Sequence, residues 1–256
     1  MIDPDRDLPG CIGEGQLVPD ELLSVHGTGI ALDAEQRRRL SREEVASMFD
    51  AGIRFEAVLE AGFALQVARA TDLRDPAVTY LLHEMGEETR HQRLFQRVIR
   101  QIGPTAHNPL AEHPVLTRLD RFGTGWVIEH PALLYVMVLA GEEIPDLLQQ
   151  LASEHPATDP CLAEVNRYHR QEETRHLSFA RAVLPAMWQQ ASRPEQAVVH
   201  RVAPLAITAM FDTLVHPGVY ETVGLDGWST WKRVRVTPER TDPVAAATRL
   251  MASMRV

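Results

Sequence analysis

The pentapeptide Glu-Glu-Thr-Arg-His occurs twice in this chain, at residues 87–91 and again at residues 172–176. Each copy contains a Glu-x-x-His, Glu88 with His91 and Glu173 with His176. Residues three apart on an α-helix share a face, so each pair can present a carboxylate and an imidazole to one metal ion. The pattern demands helices, and it demands that two of them face each other. A bundle that adds an inward Glu from each of two further helices closes a carboxylate-bridged site for a pair of metals. One Glu-x-x-His is weak evidence. Two copies, each preceded by a second acid, are a strong constraint.

The helices that must carry these motifs can be read along the chain. Residues 1–35 are rich in Pro, Gly and Asp with no sustained period and read as an irregular arm. Ser41 and Glu44 have the spacing of a capping box, with Leu40 and Val45 as its hydrophobic staple, and start a helix that runs to about Ala70. Glu56 and Glu60 share that helix's apolar stripe with Phe49, Ile53, Phe63 and Val67. Asp75-Pro76 is a start signal for a second helix, ended by Gly103-Pro104, with Glu88 and His91 between Met85 and Phe95 on its apolar side. Residues 103–128 read as a connection with a short helix around Val115 to Arg121. A third bundle helix spans about Pro131 to Ser153; Glu142-Glu143 interrupts its apolar run, and Pro145 predicts a bend beside that pair. Asp159-Pro160 opens a fourth, extending toward Gln190 with a kink at Pro185, and His169 lies one turn before Glu173 on the same face. A fifth helix is expected from Pro194 to about Leu214, then loop or edge strand over 215–240, including the alternating Trp-Lys-Arg-Val-Arg-Val, and a short helix over Pro243 to Met254. With no clean linker, residues 1–256 read as a single domain: the arm, ligand-bearing helices over 41–190, and accessory helices and loops over 191–256.

Composition removes several function classes. A formal charge of −9 and the lack of a basic cluster argue against nucleic-acid binding. Cys11 and Cys161 are too few for a disulfide framework or a thiolate metal site and fit a reducing, cytoplasmic setting. The acidic amino terminus has no signal-peptide core, and the longest apolar run, Pro131 to Gly141, is too short for a bilayer, so no membrane is expected.

Acids inside an apolar stripe are costly unless paired or bound to metal. The bland alternative for the Glu-x-x-His groups is a set of core polars satisfied by hydrogen bonds, but the stripes around them offer few partners. Carboxylates with imidazoles suit iron or manganese. Glu87 and Glu172 can accept the outer N–H of a ligand histidine, and Arg90 and Arg175 are placed to pair with those acids, or else form ordinary surface i,i+3 pairs.

On these motifs the chain resembles the ferritin-like diiron oxygenases, and within them the p-aminobenzoate N-oxygenase family. The closer likeness rests on His-Gly-Thr-Gly at 26–29 with Gln36-Arg37 and Leu40-Ser41, on the doubled core motif, and on His169 as a third histidine. It covers roughly residues 25–215. The resemblance implies an all-α, ferritin-like four-helix bundle with additional C-terminal helices. It implies two iron ions held by Glu56, Glu88, His91, Glu142, His169, Glu173 and His176, with Glu60 the competing choice for Glu56 and Glu143 for Glu142. Glu84 departs from the pattern, which has a neutral amide there; it stands as an outer acid or an added ligand. The implied activity is oxidation of a small organic substrate by O2, at an arylamine nitrogen, with C–H hydroxylation the alternative. An external donor (reductase or ferredoxin) and a homodimer complete the expectation. A radical-generating ribonucleotide reductase subunit is disfavoured because Phe95 replaces its tyrosine, and an iron-storage ferroxidase because of chain length and the extra histidine.

Overall fold

The computed structural model describes residues 12–237, and these are helical with no strand. Four long helices form the bundle: α1 (Ala34–Arg69), α2 (Pro76–Ile102), α4 (Pro131–Glu154) and α5 (Pro160–Gln190). They pair as two hairpins, α1 with α2 and α4 with α5. Between the hairpins lies α3 (Pro114–Glu129), and α6 (Arg193–Thr213), α7 (Pro217–Glu221) and α8 (Gly227–Val234) follow. This is the ferritin-like arrangement with additional C-terminal helices.

The starts of α2 and α5 follow the Asp-Pro signals. Asp75 accepts a hydrogen bond from Ala77 N at 2.9 Å, and Asp159 from Leu162 N at 3.0 Å. Gly103, at φ 60°, takes the left-handed conformation that closes α2. The start of α1 differs from expectation. Its cap is Asp33, whose side chain accepts from Gln36 N at 2.8 Å while Gln36 Oε1 accepts from Asp33 N at 2.9 Å. An Asp-x-x-Gln makes the same reciprocal box two turns earlier than Ser41 and Glu44 would. Those two residues are buried inside the helix and hold the arm instead: Ser41 Oγ accepts from Leu17 N at 2.6 Å, and the Glu44 carboxylate from Ser24 N at 3.0 Å. The arm also buries Leu17, Val18, Leu23 and Val25 against the bundle end, and Gly27 and Gly29 have the positive φ that its turn requires.

Helices α4 and α5 take the expected spans, with Pro145 and Pro185 inside them. Two further expectations change. The connection after α2 contains a full helix, α3, which meets α4 at a 112° bend around His130. The segment read as loop or edge contains α7 and α8; in α8 Asp226 caps the start, and Gly227, Thr230 and Val234 are buried at three-to-four spacing, so Trp231–Val234 follows a helical period. The helix expected over Pro243 to Met254 lies outside the described residues. The stretch Arg193–Glu221 is long and apolar enough by composition to cross a membrane, unlike the run weighed in the sequence. Within it Val199, Ala203, Ile207 and Phe211 are buried at a regular spacing of four, the stripe of a helix packed on a core.

The apolar interior falls into two main clusters along the bundle axis. One gathers Phe49, Leu94, Phe95, Val98 and Val165; the other gathers Leu59, Phe63, Leu81, Leu133, Leu139, Leu177 and Ala180. In α1, α2 and α5 the polar candidates sit in the gap between them: Glu56 between Phe49 and Leu59, Glu84 to His91 between Leu81 and Leu94, His169 to His176 between Val165 and Leu177. Close approach of α1 and α4 sets the width of that gap. A Cβ at Gly62 would lie 2.6 Å from Leu134 Cδ2, and one at Gly141 would overlap the Phe55 ring. Gly62→Val should therefore lower the unfolding free energy by about 1–3 kcal/mol by overpacking, outweighing the few tenths that valine gains over glycine as a helix former. Urea melts of both proteins would show it, and an unchanged midpoint would contradict the close approach.

Candidate metal centre

Each of the four bundle helices delivers at least one carboxylate to the gap. Glu56 comes from α1, Glu84 and Glu88 from α2, Glu142 from α4 and Glu173 from α5, joined by His91, His169 and His176. All eight side chains are buried. The two open choices separate by geometry. Glu56 lies among the histidines, whereas Glu60 accepts a hydrogen bond from Thr89 Oγ1 at 2.7 Å at the outer edge of the hairpin. Glu142 faces His169 and Glu173, whereas Glu143 turns outward to Arg181.

Glu88 and Glu173 occupy the middle. Glu88 sets Oε2 3.5 Å from His91 Nδ1 and Oε1 3.2 Å from His176 Nδ1. Glu173 sets Oε1 3.2 Å from His91 Nδ1 and Oε2 3.1 Å from His176 Nδ1. Each carboxylate thus faces both imidazoles with different oxygens, the posture of a ligand shared by two ions. His169 Nε2 lies 3.3 Å from Glu56 Oε1 and 3.5 Å from Glu173 Oε1, on the His91 side. The rings of His91 and His169 are 4.4 Å apart, those of His91 and His176 6.0 Å.

Outward acceptors orient all three rings. His91 Nε2 meets Glu172 Oε2 at 2.9 Å and His176 Nε2 meets Glu87 Oε2 at 2.9 Å, each across the two helices. An N–H donated outward leaves the other ring nitrogen aimed at the centre. Arg90 and Arg175 close this layer: Arg90 lies 3.2 Å from Glu172 and 3.4 Å from Glu87, and Arg175 bonds Glu87. Each arginine thus pairs with both acids, across the two helices and along its own. Sequence reasoning missed the third acceptor, Gln149, whose Oε1 lies 2.8 Å from His169 Nδ1. Its signal was its place seven residues after Glu142, two turns on along the same face of α4.

These groups fit a pair of metal ions better than they fit each other. Glu56 Oε2, Glu84 Oε2, Glu88 Oε2, Glu173 Oε1 and His91 Nδ1 are buried with no hydrogen-bond partner among the described residues. Unpaired buried carboxylates cost several kcal/mol each, so protons must hold the place of cations when metal is absent. Burial, reinforced by the charge of Glu88, pushes the Glu56 carboxyl well above its usual range, and burial with Glu173 does the same for Glu142. Burial pushes Glu84 up to about 8. Burial alone would deprotonate His91 and His176, but the surrounding carboxylates hold their protons well above the ordinary histidine range. His169 goes the other way, down to about 3, through burial and then the positive charge of His91. Burial also opposes the charge on Glu172, yet its hydrogen bond with His91 keeps it at about 2.

Comparison with known proteins agrees with this architecture. The helix arrangement defines a ferritin-like bundle, and its centre has the donor set of a carboxylate-bridged dimetal site. The model of the family described as P-aminobenzoate N-oxygenase AurF matches residues 13–255, and the chain belongs to that family. Among curated proteins it is similar to uncharacterised proteins of Mycobacterium bovis and Mycobacterium tuberculosis, each 27% identical over 192 residues, covering 73% of this chain and 54% of the relative. The chain thus spans about half the length of the curated relatives it matches. No solved structure matches it.

Metal binding must displace the protons on His91, His176, Glu56 and Glu142, so affinity rises with pH. Adding Mn(II) to metal-free protein in weak buffer near neutrality should release protons, and the apparent affinity should climb between roughly pH 6 and pH 8. Binding without proton release would contradict the assignment. Gln149→Leu, which removes the acceptor for His169, should weaken metal affinity by about 10–100-fold. An unchanged affinity would show that Gln149 does not orient the ring.

Proposed function

We propose that this chain is a non-haem diiron oxygenase that oxidises the nitrogen of a small arylamine. The observation that carries the dimetal part is the pair of shared carboxylates, Glu88 and Glu173, each facing both His91 and His176. Glu56, His91 and His169 would hold one ion, His176 the other, and Glu142 would complete the inner set beside Glu173. When bound by these residues, a pair of redox-active ions would supply electrons for activating O2. Iron is the reading; the hard oxygen donors also suit manganese.

The chain's own residues do the rest. Glu87, Glu172 and Gln149 fix the imidazoles so that their inward nitrogens need no reorientation. Phe49, Phe63, Leu94 and Phe95 wall the centre from above and below and exclude water. Phe95 stacks on Phe49 at 4.6 Å and lies 4.9 Å from His169, which leaves no phenol at that position to hold a radical. The arylamine substrate, the donor (a reductase or ferredoxin) and a homodimeric assembly enter on the family resemblance.

The test uses iron-loaded, reduced protein mixed with O2 and p-aminobenzoate as the first arylamine. Hydroxylamine, nitroso or nitro products are expected. O2 consumption that leaves arylamines untouched while a hydrocarbon substrate gains a hydroxyl would overturn N-oxygenation in favour of C–H hydroxylation. His169→Ala should lose at least the about 10–100-fold in metal affinity that outer partners alone cost, with product formation falling alongside.

A further inference from the structure

The centre is not symmetric, and the asymmetry has a consequence at Glu84. Helices α2 and α5 carry the same motif and face each other, so the turn before each Glu-x-x-His meets the histidine of the opposite helix. On α5 that residue is His169, and it comes to His91. On α2 the equivalent residue is Glu84, and its carboxylate comes to His176: ligand atoms of Glu84, Glu88 and His176 all lie within 4.8 Å of one another. Glu84 is 1% exposed, and its Oε2 has no hydrogen-bond partner. The nearby arginines do not neutralise it, since Arg90 and Arg175 engage Glu87 and Glu172. The donor count points the same way. Beyond the shared Glu88 and Glu173, the His91 side collects His169, Glu56 and, beside His169, Glu142, while the His176 side gathers Glu84.

We propose that Glu84 is a metal ligand on the His176 side, so that the turn before each motif gives one ion an imidazole and the other a carboxylate. This rests on the dimetal reading and goes beyond it. The carboxylates of Glu56, Glu88, Glu142 and Glu173 carry four negative charges and balance two divalent ions. A fifth carboxylate leaves the reduced pair with an excess negative charge and favours the higher oxidation state. It also makes the two positions chemically distinct, with two imidazoles on the His91 side and a single imidazole joined by the Glu84 carboxylate on the His176 side.

Co(II) titration of metal-free, full-length protein tests this, because cobalt absorption reports coordination at each position without any turnover. Wild type is expected to bind two ions. Glu84→Gln should keep one with wild-type affinity and bind the other at least about tenfold more weakly, with a changed spectrum for that ion only. The metal-free variant should melt with the metal-free wild type, since Gln closely matches the shape of a neutral carboxyl. Two ions bound by Glu84→Gln with wild-type affinities and spectra would overturn the assignment and leave the dimetal reading intact. Wild type that fails to take two ions would instead sink the dimetal reading itself. If the variant does not fold, crystals of Co(II)-loaded wild type decide: a Glu84 oxygen at about 2.0–2.2 Å from an ion is expected, and one beyond about 3 Å overturns the proposal.

Discussion

The structure depends on the confinement of five carboxylates and three imidazoles in one buried layer of an otherwise apolar bundle interior. Each buried carboxylate without a counter-charge costs several kcal/mol, while a domain's whole stability is about 5–15 kcal/mol. Five such groups left bare would unfold the protein. Cations must therefore sit among them, as protons or as metal ions, and the upward displacement of Glu56, Glu84 and Glu142 is the mark of that demand. The two apolar clusters sharpen the demand, because Leu59, Phe63, Leu94 and Phe95 pack around the layer and offer its carboxylates no hydrogen bonds.

The same logic explains the surrounding layer. Glu87 and Glu172 are the residues just before the central carboxylates, so they point about a quarter-turn away, toward the seam between α2 and α5. There each meets the histidine of the opposite helix, and Arg90 and Arg175 neutralise both. The repeated pentapeptide thus encodes two nested layers, an inner one of Glu and His and an outer one of Glu and Arg. Its antiparallel pairing turns an exact repeat of sequence into an approximate two-fold relation in space, broken where His169 and Glu84 differ.

Much of this was legible beforehand, for physical reasons that can be named. The Glu-x-x-His spacing speaks only the language of helices, and the Asp-Pro starts and the Gly103-Pro104 stop are local signals that tertiary context had no cause to override. Glu56 over Glu60, by contrast, depended on the relative height of α1 and α2, which no periodicity contains. Gln149 escaped because an amide on a helix face carries no chemistry until a histidine arrives from another helix. The start of α1 was misplaced because Ser41 and Glu44 mimic a capping box while serving the backbone of the arm, a long-range partner invisible in the local pattern. Helices α3 and α8 were under-read for a related reason: α3 buries no residue fully, and the short α8 resembles an alternating strand until Thr230 and Val234 find the core.

The central claim is that two ions lie side by side between α2 and α5, shared by Glu88 and Glu173. Anomalous diffraction at the iron absorption edge from crystals of iron-loaded protein measures this directly. The account predicts two adjacent peaks, each within bonding distance of an oxygen from both Glu88 and Glu173, with His91 at one and His176 at the other. A single peak, or none between these helices, would contradict it.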